Sequence, residues 1–535
     1  MNEPRSPDLA FGAFTDVGPW VVEPEQMTWR RGLDAVRARL GREVPDLVRP
    51  RGLPPVARGL RIVAGLGAPL AAWAVLDRGR PGSRAGGARR FRVAFAHLGS
   101  TFVKLGQLVS AFEGVLPAEI VREFALLRDR VPPEPFSDVR AVVEADLGRR
   151  LGSVFSSFDP TPIAAASIAQ VHAARLRSGE EVVVKVQRRR VARLVRQDLA
   201  VLARLSPALV GRIPVAALAN PPALVELFAQ QVLEELDFRL EADNMLEVAA
   251  MLAATEQHRL VVPRPHPDLV TRRVLVMERM RGFAFDDVAS MRGAGIDTTE
   301  ILRAGLIAFM EGALIHGVFH GDLHGGNLLV QPDGRVVAFD FGITGRLDAF
   351  RRIAFLRLLL GGTTGDVRGQ LAALRDLGAF PPDTDLDAVI GDLGLDRPPI
   401  DPTTLTADEL VTEMSDLVRK MLAYGARLPK DLMLFVKNLM FLNAATATLA
   451  PDLDLLGEVV AIHTYFATHH GERIVRELAI DASAAAIDMD SVRAGFMVGP
   501  EVDRLTFRDL QERREVILAR MGQRRRRASG DLTER

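Results

Sequence analysis

Two polar segments are the strongest signal in this sequence of 535 residues. The first is His-Gly-Asp-Leu-His-Gly-Gly-Asn at residues 320–327, and the second is Asp-Phe-Gly, which begins at Asp340. Between them, two apolar runs flank Pro-Asp-Gly at 332–334, the pattern of a strand, a turn and a second strand. We expect these strands to bring the two polar segments together.

The residue types in these segments suit phosphoryl transfer from a nucleotide. Such a reaction needs a divalent metal ion on the phosphates, and carboxylate and amide oxygens are hard ligands for that ion. Asn327 and Asp340 are therefore the predicted metal ligands. Asp322, five residues before Asn327, could orient or deprotonate an attacking hydroxyl group.

A zinc site is the competing interpretation of the same region. His316, His320 and His324 recur every four residues, and on a continuous helix they would form one metal-binding face. Four glycines lie at or next to these positions and disfavour such a helix. We therefore predict that His320 packs under the loop and orients it.

Lysine is scarce, since only five of the 68 basic residues are lysine. A lysine therefore hints that the shape of an ammonium group matters at its position. Lys185 follows the run Val-Val-Val at 182–184, which predicts a strand that directs the ammonium to one face of a small sheet, within reach of nucleotide phosphates. Such a lysine needs an anionic partner, and we choose Glu241 on the next helical stretch. A solvated acidic helix face is the alternative.

A run of small residues precedes this strand. Small side chains let backbone N–H groups approach a phosphate, and glycine is the usual residue in such a turn. Alanine resists positive φ, so the turn should be stiffer here. Read in isolation, the run is more typical of a helix or a buried core, and only its position before Lys185 favours a phosphate-binding turn. The run is Ala164, Ala165, Ala166, Ser167, Ile168 and Ala169.

Composition excludes several classes of function. The 68 basic and 68 acidic residues balance, so no global field favours nucleic acid, and we expect no nucleic-acid partner. Cysteine is absent, which removes disulfides, thiolate nucleophiles and cysteine-based zinc sites. The N-terminus lacks the pattern of a secretory signal, which favours a cytoplasmic location. Residues 62–76 are apolar but shorter than the roughly 20 residues of a spanning helix, so a membrane-interfacial segment and a buried helix stay open.

Four blocks of this sequence together resemble the UbiB/AarF/ADCK family of atypical protein-kinase-like ATPases, over about residues 90–450. The blocks are the Lys-x-Gly-Gln signature at 104–107, the alanine-rich loop, the Glu-x-Asp at 235–237, and the set Asp322, Asn327 and Asp340. The resemblance implies an α+β, two-lobed protein-kinase-like fold. An N-terminal helical extension would pack over the active site, and the C-lobe would be mainly helical.

The resemblance also implies roles for individual residues. The catalytic set would be Asp322, Lys185, Asn327 and Asp340. ATP or ADP would bind at the alanine-rich loop and at Lys185, Glu241, Glu278 and Met280, with Met277 to Met280 as the hinge beside adenine. Mg²⁺ would be held by Asn327 and Asp340. Lys104 and Gln107 would meet Glu235 and Asp237 over the active site, an arrangement that disfavours ordinary protein phosphorylation.

Changes in composition, combined with the resemblance, divide the chain into five predicted regions. They are an Arg/Pro/Gly-rich region, partly disordered or membrane-interfacial (1–88), a helical Lys-x-Gly-Gln extension (89–150), an N-lobe (151–280), a helical C-lobe (281–480) and a C-terminal helix with a basic tail (481–535). Within this scheme, residues 191–205 and 222–253 are predicted helices, and Ser137 is the predicted N-cap of a helix that ends at Gly148.

The implied function is that of a kinase-like ATPase that supports isoprenoid (ubiquinone-type) quinone biosynthesis or membrane lipid homeostasis. Expected partners are a nucleotide, membrane lipid or isoprenoid quinone precursors, and proteins of quinone biosynthesis. Peripheral attachment to the inner face of the cell membrane would accompany them. Two alternatives stay open: a regulatory pseudokinase module that binds nucleotide with negligible turnover, and a small-molecule kinase, which the Lys104 block disfavours.

Overall fold

The computed structural model describes residues 20, 24–49, 55–73, 83–110, 118–127, 132–209, 221–397 and 429–530, with isolated positions between 405 and 427. Residues 1–19 and 74–82 of the Arg/Pro/Gly-rich region and the last five residues of the basic tail lie outside this part of the chain. The end of the Arg/Pro/Gly-rich region is helical, because a helix begins at Ser83.

The described part of the chain contains helices and short strands, and most of the strands pair antiparallel, except that β11 pairs with β5 in parallel. The helices are α1 Leu33–Val48, α2 Val56–Ala72, α3 Ser83–Leu98, α4 Ser100–Ser110, α5 Ala118–Ala125, α6 Phe136–Leu147, α7 Leu151–Val154, α8 Val191–Leu205, α9 Pro221–Glu234, α10 Phe238–Ala254, α11 Val288–Gly293, α12 Thr298–Glu311, α13 Ala349–Thr364, α14 Val367–Asp376, α15 Leu386–Leu393, α16 Lys430–Leu449, α17 Leu455–Leu478, α18 Met489–Gly495 and α19 Phe507–Gly530. The strands are β1 Phe155–Phe158, β2 Ala164–Ala165, β3 Ala169–Leu176, β4 Glu181–Gln187, β5 Leu260–Val261, β6 Pro265–Val270, β7 Val274–Glu278, β8 Phe283–Ala284, β9 Val318–His320, β10 Leu328–Val330, β11 Val336–Ala338 and β12 Thr344–Arg346. The predicted α+β class is confirmed.

The chain folds into two compact units. The first unit comprises Met1–Ala250, Val262–Arg281 and Phe339–Ile343, and the second comprises Met251–Val261, Gly282–Ala338 and Thr344–Arg535. The chain therefore passes between the units several times. The five regions drawn from the sequence stay a prediction.

An antiparallel sheet organises the first unit. Its strands follow the order β1-β3-β4-β7-β6, and β2 pairs with β3. Along β4, Val182, Val184 and Val186 are buried in a core that α6 also lines. Because successive side chains point to opposite faces of a strand, Lys185 lies on the other face, as predicted. The strand continues past Lys185 to Gln187.

The helical stretch predicted at 222–253 is interrupted. Helix α9 ends at Glu234 and α10 begins at Phe238, so 235–237 form a turn. Leu236 is buried at the centre of this turn, and Gln187 donates a hydrogen bond to its carbonyl oxygen at 3.1 Å. The Asp237 carboxylate accepts from the backbone N–H of Arg239, which makes Asp237 the N-cap of α10.

The helices α3, α4 and α5 pack tightly in the first unit. The rings of Phe95 and Phe124 meet edge to face with centroids 4.9 Å apart, and Phe95 meets Phe102 in the same way at 5.4 Å. A Cβ on Gly106 would collide with Leu127 and lie 3.0 Å from the Phe124 ring. Close helix packing therefore requires the glycine of the Lys-x-Gly-Gln signature.

One predicted helix start is wrong and its end is right. Helix α6 begins at Phe136 with Pro135 in the cap position and no side-chain cap, so Ser137 lies inside the first turn. Proline is suited to this place because its missing N–H is one that a helix start leaves unpaired. The helix ends at Gly148, whose φ of 64° is the left-handed conformation that favours glycine.

The second unit is mainly helical and contains two small sheets. One has the order β5-β11-β10-β8, and the other pairs β12 with β9. Strands β10 and β11 form the predicted hairpin, with Leu328 opposite Ala338 and a turn at Gly334 (φ 83°). Asn327 therefore stands at the start of this hairpin and Asp340 follows its end along the chain.

Among the helices of the described residues, α16 is long and apolar enough to cross a membrane by length and composition. Half of its apolar window is buried inside the structure, as in the core helix of a globular protein. A core helix passes this test as easily as a membrane span does, so it is weak support for one.

Candidate functional site

Lys185 is the centre of a buried group of charges in the first unit. Its Nζ lies 2.7 and 2.9 Å from the two carboxylate oxygens of Glu241, and 2.9 Å from Oδ1 of Asp340. The ammonium also lies 5.4 Å from the centre of the Phe238 ring. The pair chosen from the sequence is thus formed, and Asp340 is its third member.

Burial and charge compete at this group. Burial alone would lower the pKa of Lys185, but the carboxylates of Asp340 and Glu241 outweigh it and raise that pKa, so the amine stays protonated. Burial raises the pKa of Glu241 to about 7, although Lys185 opposes the shift. With both carboxylates ionised, one ammonium faces two negative charges, and the group carries an excess negative charge that a cation can balance.

The Asp-Phe-Gly segment is held by its backbone. Asp340 has a φ of 57°, a conformation that few residues other than glycine adopt. Asn244 of α10 donates to the carbonyl oxygen of Phe341 at 2.7 Å, and the Phe341 ring is buried. These contacts hold the strained segment in place while the Asp340 side chain stays 46% exposed. Asn244 was not among the predicted site residues.

The Lys-x-Gly-Gln helix reaches this region through one ion pair. Lys104 Nζ lies 2.9 Å from Oε1 of Glu235, and both side chains are largely buried. The Gln107 amide donates to the carbonyl oxygen of Leu127 at 3.3 Å. The Asp237 carboxylate pairs with Arg239 at 2.6 Å, a partner that sequence reasoning missed. The structure therefore joins Lys104 to Glu235, and the gating role of all four predicted residues stays a prediction.

The alanine-rich run forms a hairpin turn. Ala164 and Ala165 pair with β3, and the turn closes where the Ala166 N–H donates to the Ala169 carbonyl oxygen at 2.9 Å. Ser167 and Ile168 are buried in the turn. The interpretation of this run as a helix is therefore wrong, because its flanks extend the sheet.

Arg188 fixes this turn from the end of the neighbouring strand. Its backbone N–H donates to Ile168 O at 2.9 Å, and its guanidinium donates to Ala166 O and to Pro132 O, each at 3.0 Å. Backbone carbonyls that would otherwise be unpaired are thereby satisfied. Arg188 was missed because nothing in a local pattern marks a side chain that binds backbone 22 residues away.

The predicted hinge, Met277 to Met280, comprises the last two residues of β7 and the two residues after it. Glu278 is buried, and its carboxylate accepts a 2.7 Å hydrogen bond from the Arg264 N–H on the neighbouring segment. The Glu278 N–H in turn donates to Arg264 O at 3.1 Å. Met280 lies two residues past the end of the strand and is half-buried. The carboxylate of Glu278 thus supports the chain at the hinge, and contact of either residue with a nucleotide stays a prediction.

The second unit holds the other polar segment. The Asp322 N–H donates to His320 Nδ1 at 3.0 Å, and His320 is buried, the geometry expected of a residue that orients the loop. Asn327 is buried too, and its amide donates to the Asp322 carbonyl oxygen at 3.2 Å. The loop from 320 to 327 is therefore closed by its own hydrogen bonds.

Two adjacent residues of α16 bind the same loop. Lys437 pairs with Oδ1 of Asp322, while the Asn438 side chain accepts from the Leu323 N–H at 2.9 Å and donates to the His320 carbonyl oxygen. Neither residue was predicted, although Lys437 is one of the five lysines whose scarcity marks them.

The zinc interpretation finds no support. His316 ends a single π-helical turn, Gly312–His316, and His324 Nδ1 accepts from the Gly326 N–H at 3.2 Å. His320 is bound by the Asp322 N–H as above. In the described part of the chain, no group of three or more His, Asp or Glu side chains is arranged to hold a metal ion.

Both predicted magnesium ligands have suitable donor atoms. Asp340 offers a carboxylate on a half-exposed side chain. The Asn327 amide donates through Nδ2, which leaves Oδ1 as its metal-binding atom. Hard oxygen donors of this type fit Mg²⁺. Each residue fits by its own chemistry.

A sheet lysine paired with a helix glutamate, an Asp-x4-Asn loop and an Asp-Phe-Gly segment together define the class of kinase-like proteins. Residues 126–373 match the family model described as the ABC1 atypical kinase-like domain. An uncharacterised protein of Mycobacterium tuberculosis is 36% identical over 382 residues, covering 68% of this chain and 75% of the relative. A "Probable protein kinase UbiB" of Pseudomonas putida is 33% identical over 414 residues, covering 77% of this chain and 75% of the relative. The chain therefore belongs to the UbiB/AarF family of ABC1 atypical kinase-like proteins.

One solved structure is also similar. A Mycobacterium tuberculosis protein, Rv3197, whose structure is titled as a complex with erythromycin, is 23% identical and matches 65% of this chain and 91% of its own length. The TM-score is 0.36, too low to support a structural argument.

Proposed function

We propose that this protein is an ATP-dependent phosphotransferase or ATPase that uses Mg²⁺. The observation that carries the proposal is Lys185, whose ammonium is held between Glu241 and Asp340. A buried lysine kept protonated by two carboxylates is a point charge at a fixed position, which suits a phosphate oxygen. Family membership supports the same interpretation.

Each residue has a defined part in the proposed reaction. Lys185 would bind nucleotide phosphates, while Arg188 keeps the alanine-rich turn in place so that its backbone N–H groups can face them. Asp322 would accept the proton of an attacking hydroxyl group or water as the new P–O bond forms and the bond to ADP breaks. Asn327 and Asp340 would hold Mg²⁺, which supplies neutralisation of the phosphate charge when bound.

Magnesium-dependent release of phosphate from labelled ATP tests the proposal. Asp340→Asn should reduce the rate to background, because it removes a metal ligand and a partner of Lys185. The matched control is Asp333→Asn, which changes an exposed turn carboxylate paired only locally with Arg335. Equal rates for wild type and Asp340→Asn would contradict the proposal.

The same assay separates the alternatives. Tight nucleotide binding without phosphate release would identify a regulatory pseudokinase module. A phosphorylated polar metabolite among candidate acceptors would identify a small-molecule kinase. The Lys104–Glu235 ion pair disfavours the second outcome, because it ties the N-terminal helices to the turn that carries Glu235.

We further propose that the reaction supports isoprenoid quinone biosynthesis or membrane lipid homeostasis, with lipid or quinone precursors and proteins of quinone biosynthesis as partners. The resemblance to UbiB relatives supports this pathway. Removing the protein from its native cell should lower the isoprenoid quinone content of membrane extracts. Wild-type protein should restore that content and Asp340→Asn should not. Unchanged quinone content after removal would contradict the pathway.

A cytoplasmic location with peripheral attachment to the inner membrane face is part of the same proposal. Helix α2 buries Ile62 completely, and its Arg58 binds Asp198 at 2.5 Å. Val56, Leu60 and Val63 are 60%, 66% and 53% exposed and share another face of that helix. An exposed apolar face of this kind can enter the surface of a bilayer.

Flotation with vesicles of phosphatidylglycerol and phosphatidylcholine tests the attachment. Changing Val56, Leu60 and Val63 together to serine should abolish flotation, because the apolar contact is lost. Val516→Ser, at an exposed site on α19, is the control. Equal flotation of wild type and the triple variant would contradict attachment through α2.

A further inference from the structure

Helix α16 binds the Asp322 loop with two neighbouring side chains that the family motifs do not include. Lys437 and Asn438 stand 115 residues from the groups that they bind. Adjacent helix residues project about 100° apart, so the two side chains can reach two separate points of one loop. One point is the Asp322 carboxylate, and the other is the backbone on either side of it.

Asn438 fixes the backbone of the loop. Its side chain is completely buried, and both ends of its amide are used, the oxygen by the Leu323 N–H and the nitrogen by His320 O. A buried amide satisfied at both ends has one orientation, because rotation would leave polar groups unpaired. The backbone on both sides of Asp322 is therefore held at a fixed distance from α16.

Lys437 fixes the side chain of Asp322. Its ammonium binds Oδ1 and so ties one carboxylate oxygen of Asp322 to a fixed point on α16. The contact also selects a rotamer of Asp322 that faces α16 with one oxygen. The two side chains are 34% and 17% exposed, so they meet close to the surface of the loop and not in the core.

We propose that Lys437 and Asn438 are a positioning pair that holds the Asp322 carboxylate in one orientation for the attack on the nucleotide. The proposal rests on the proposed function, because it assigns its effect to Asp322 as the base. It adds two residues from α16, outside the matched family segment 126–373, to the machinery of the site. It also gives a physical reason why a lysine stands at this position, although arginine is the common cation of this chain. A compact ammonium binds one carboxylate oxygen, whereas a planar guanidinium favours both.

The experiment compares steady-state ATP hydrolysis by full-length wild type, Lys437→Met, Lys437→Gln, Lys437→Arg and Asn438→Ala. Lys437→Met and Lys437→Gln should lower kcat roughly 10- to 100-fold, which is part of the roughly 10²- to 10⁴-fold that a positioned base contributes, and should change the KM for ATP less than about twofold. Lys437→Arg should recover only part of kcat, because the charge returns but the planar guanidinium favours both carboxylate oxygens. The matched control is Lys430→Met on the same helix, which should behave as wild type.

Asn438→Ala separates orientation of the backbone from charge. It keeps Lys437 but leaves the Leu323 N–H and the His320 carbonyl without their partner, so kcat should also fall at nearly constant KM. Circular dichroism melting of each variant identifies any that fails to fold. Lys437→Gln serves if Lys437→Met does fail, because its side chain stays polar.

A double substitution distinguishes this inference from the proposed function. If Lys437 acts through Asp322, Lys437→Met should cost little more once Asp322→Asn is present, because residues of one unit are not additive. Asp322→Asn with full activity would overturn the proposed function itself. An inactive Asp322→Asn beside folded Lys437→Met and Lys437→Gln variants with wild-type kcat would overturn only the positioning pair. A change in the KM for ATP with kcat unchanged would also overturn the positioning pair.

Discussion

The two polar centres of this protein are built in opposite ways. In the first unit, Lys185, Glu241 and Asp340 come from three separate elements and meet in a buried group in which each charge depends on the others. In the second unit, Asp322 and Asn327 belong to one short loop that closes on itself and is held from outside by α16. The charges of the first centre stabilise one another in the folded chain, whereas the second centre is a loop that α16 holds through a lysine with a 34% exposed side chain.

This difference determines how much each charged side chain contributes to the stability of the fold. A buried charge that loses its partner keeps the cost of leaving water and loses the attraction that offset it. A partly exposed charge that loses its partner is solvated by water instead. Substitutions in the first centre should therefore change folding, and those in the second should mainly change the reaction.

The largest expected effect is at Lys185. Lys185→Met leaves Glu241 and Asp340 facing each other, so the free energy of unfolding should fall by about 3 kcal/mol, and ATP hydrolysis should fall to background. Lys437→Met in the second unit should lower the free energy of unfolding by less than about 1 kcal/mol. Denaturant unfolding of both variants measures the two free energies of unfolding. Equal losses at the two lysines would contradict the difference between the two centres.

The next effect concerns packing around Lys104 in the first unit. Gly106→Ala places a Cβ against Leu127 and Phe124, so the free energy of unfolding should fall by about 2 kcal/mol. Gly152→Ala is the matched control, since nothing lies within 4 Å of its added Cβ. If both variants melt as wild type does, the helices α4 and α5 are packed more loosely than the structure shows.

A smaller, pH-dependent effect arises from a neutral imidazole in the first unit. Burial lowers the pKa of His266 to about 4, while Asp268 and Glu180 oppose the shift. Below pH 6.5 the unfolded chain takes up a proton at this residue and the folded chain does not. Stability due to His266 is therefore present above pH 6.5 and lost as the pH falls towards 4, at up to about 1.4 kcal/mol per pH unit.

Melting of wild type and His266→Gln between pH 7 and pH 5 measures this contribution. The slope of stability against pH should be smaller in the variant. A steeper slope in His266→Gln than in wild type would contradict the conclusion that the folded chain keeps His266 neutral.

The smallest expected effect is at Asp322 itself. Asp322→Asn removes one charge of a partly exposed pair, so the free energy of unfolding should change by less than about 0.5 kcal/mol while hydrolysis is lost. Activity and stability are thus expected to separate in the second unit and to fall together in the first. A loss above about 2 kcal/mol would place Asp322 among the structural charges instead.

Sequence patterns predicted part of the candidate site. Alternation along 182–186 placed Lys185 opposite the core, and the β10–β11 hairpin was read from its turn residues. The break at 235–237 was missed, although Asp237 is a typical N-cap, because the apolar spacing on both sides is helical. Tertiary contacts decided the rest. Arg188, Asn244 and Asn438 all bind backbone atoms, and every residue type has such atoms, so the sequence of the partner segment does not reveal the contact.

The sequence by itself determined which chemical groups this protein can use. Alternation, turn residues and the spacing of Asp322, Asn327 and Asp340 are local, and local geometry follows from short stretches of chain. Only the tertiary structure decided that Glu241 and Asp340 share one ammonium and that Lys437 braces Asp322. Those partners are 56 to 155 residues apart. Their pairing depends on the balance between burial and charge at one place, which exists only once the chain has folded.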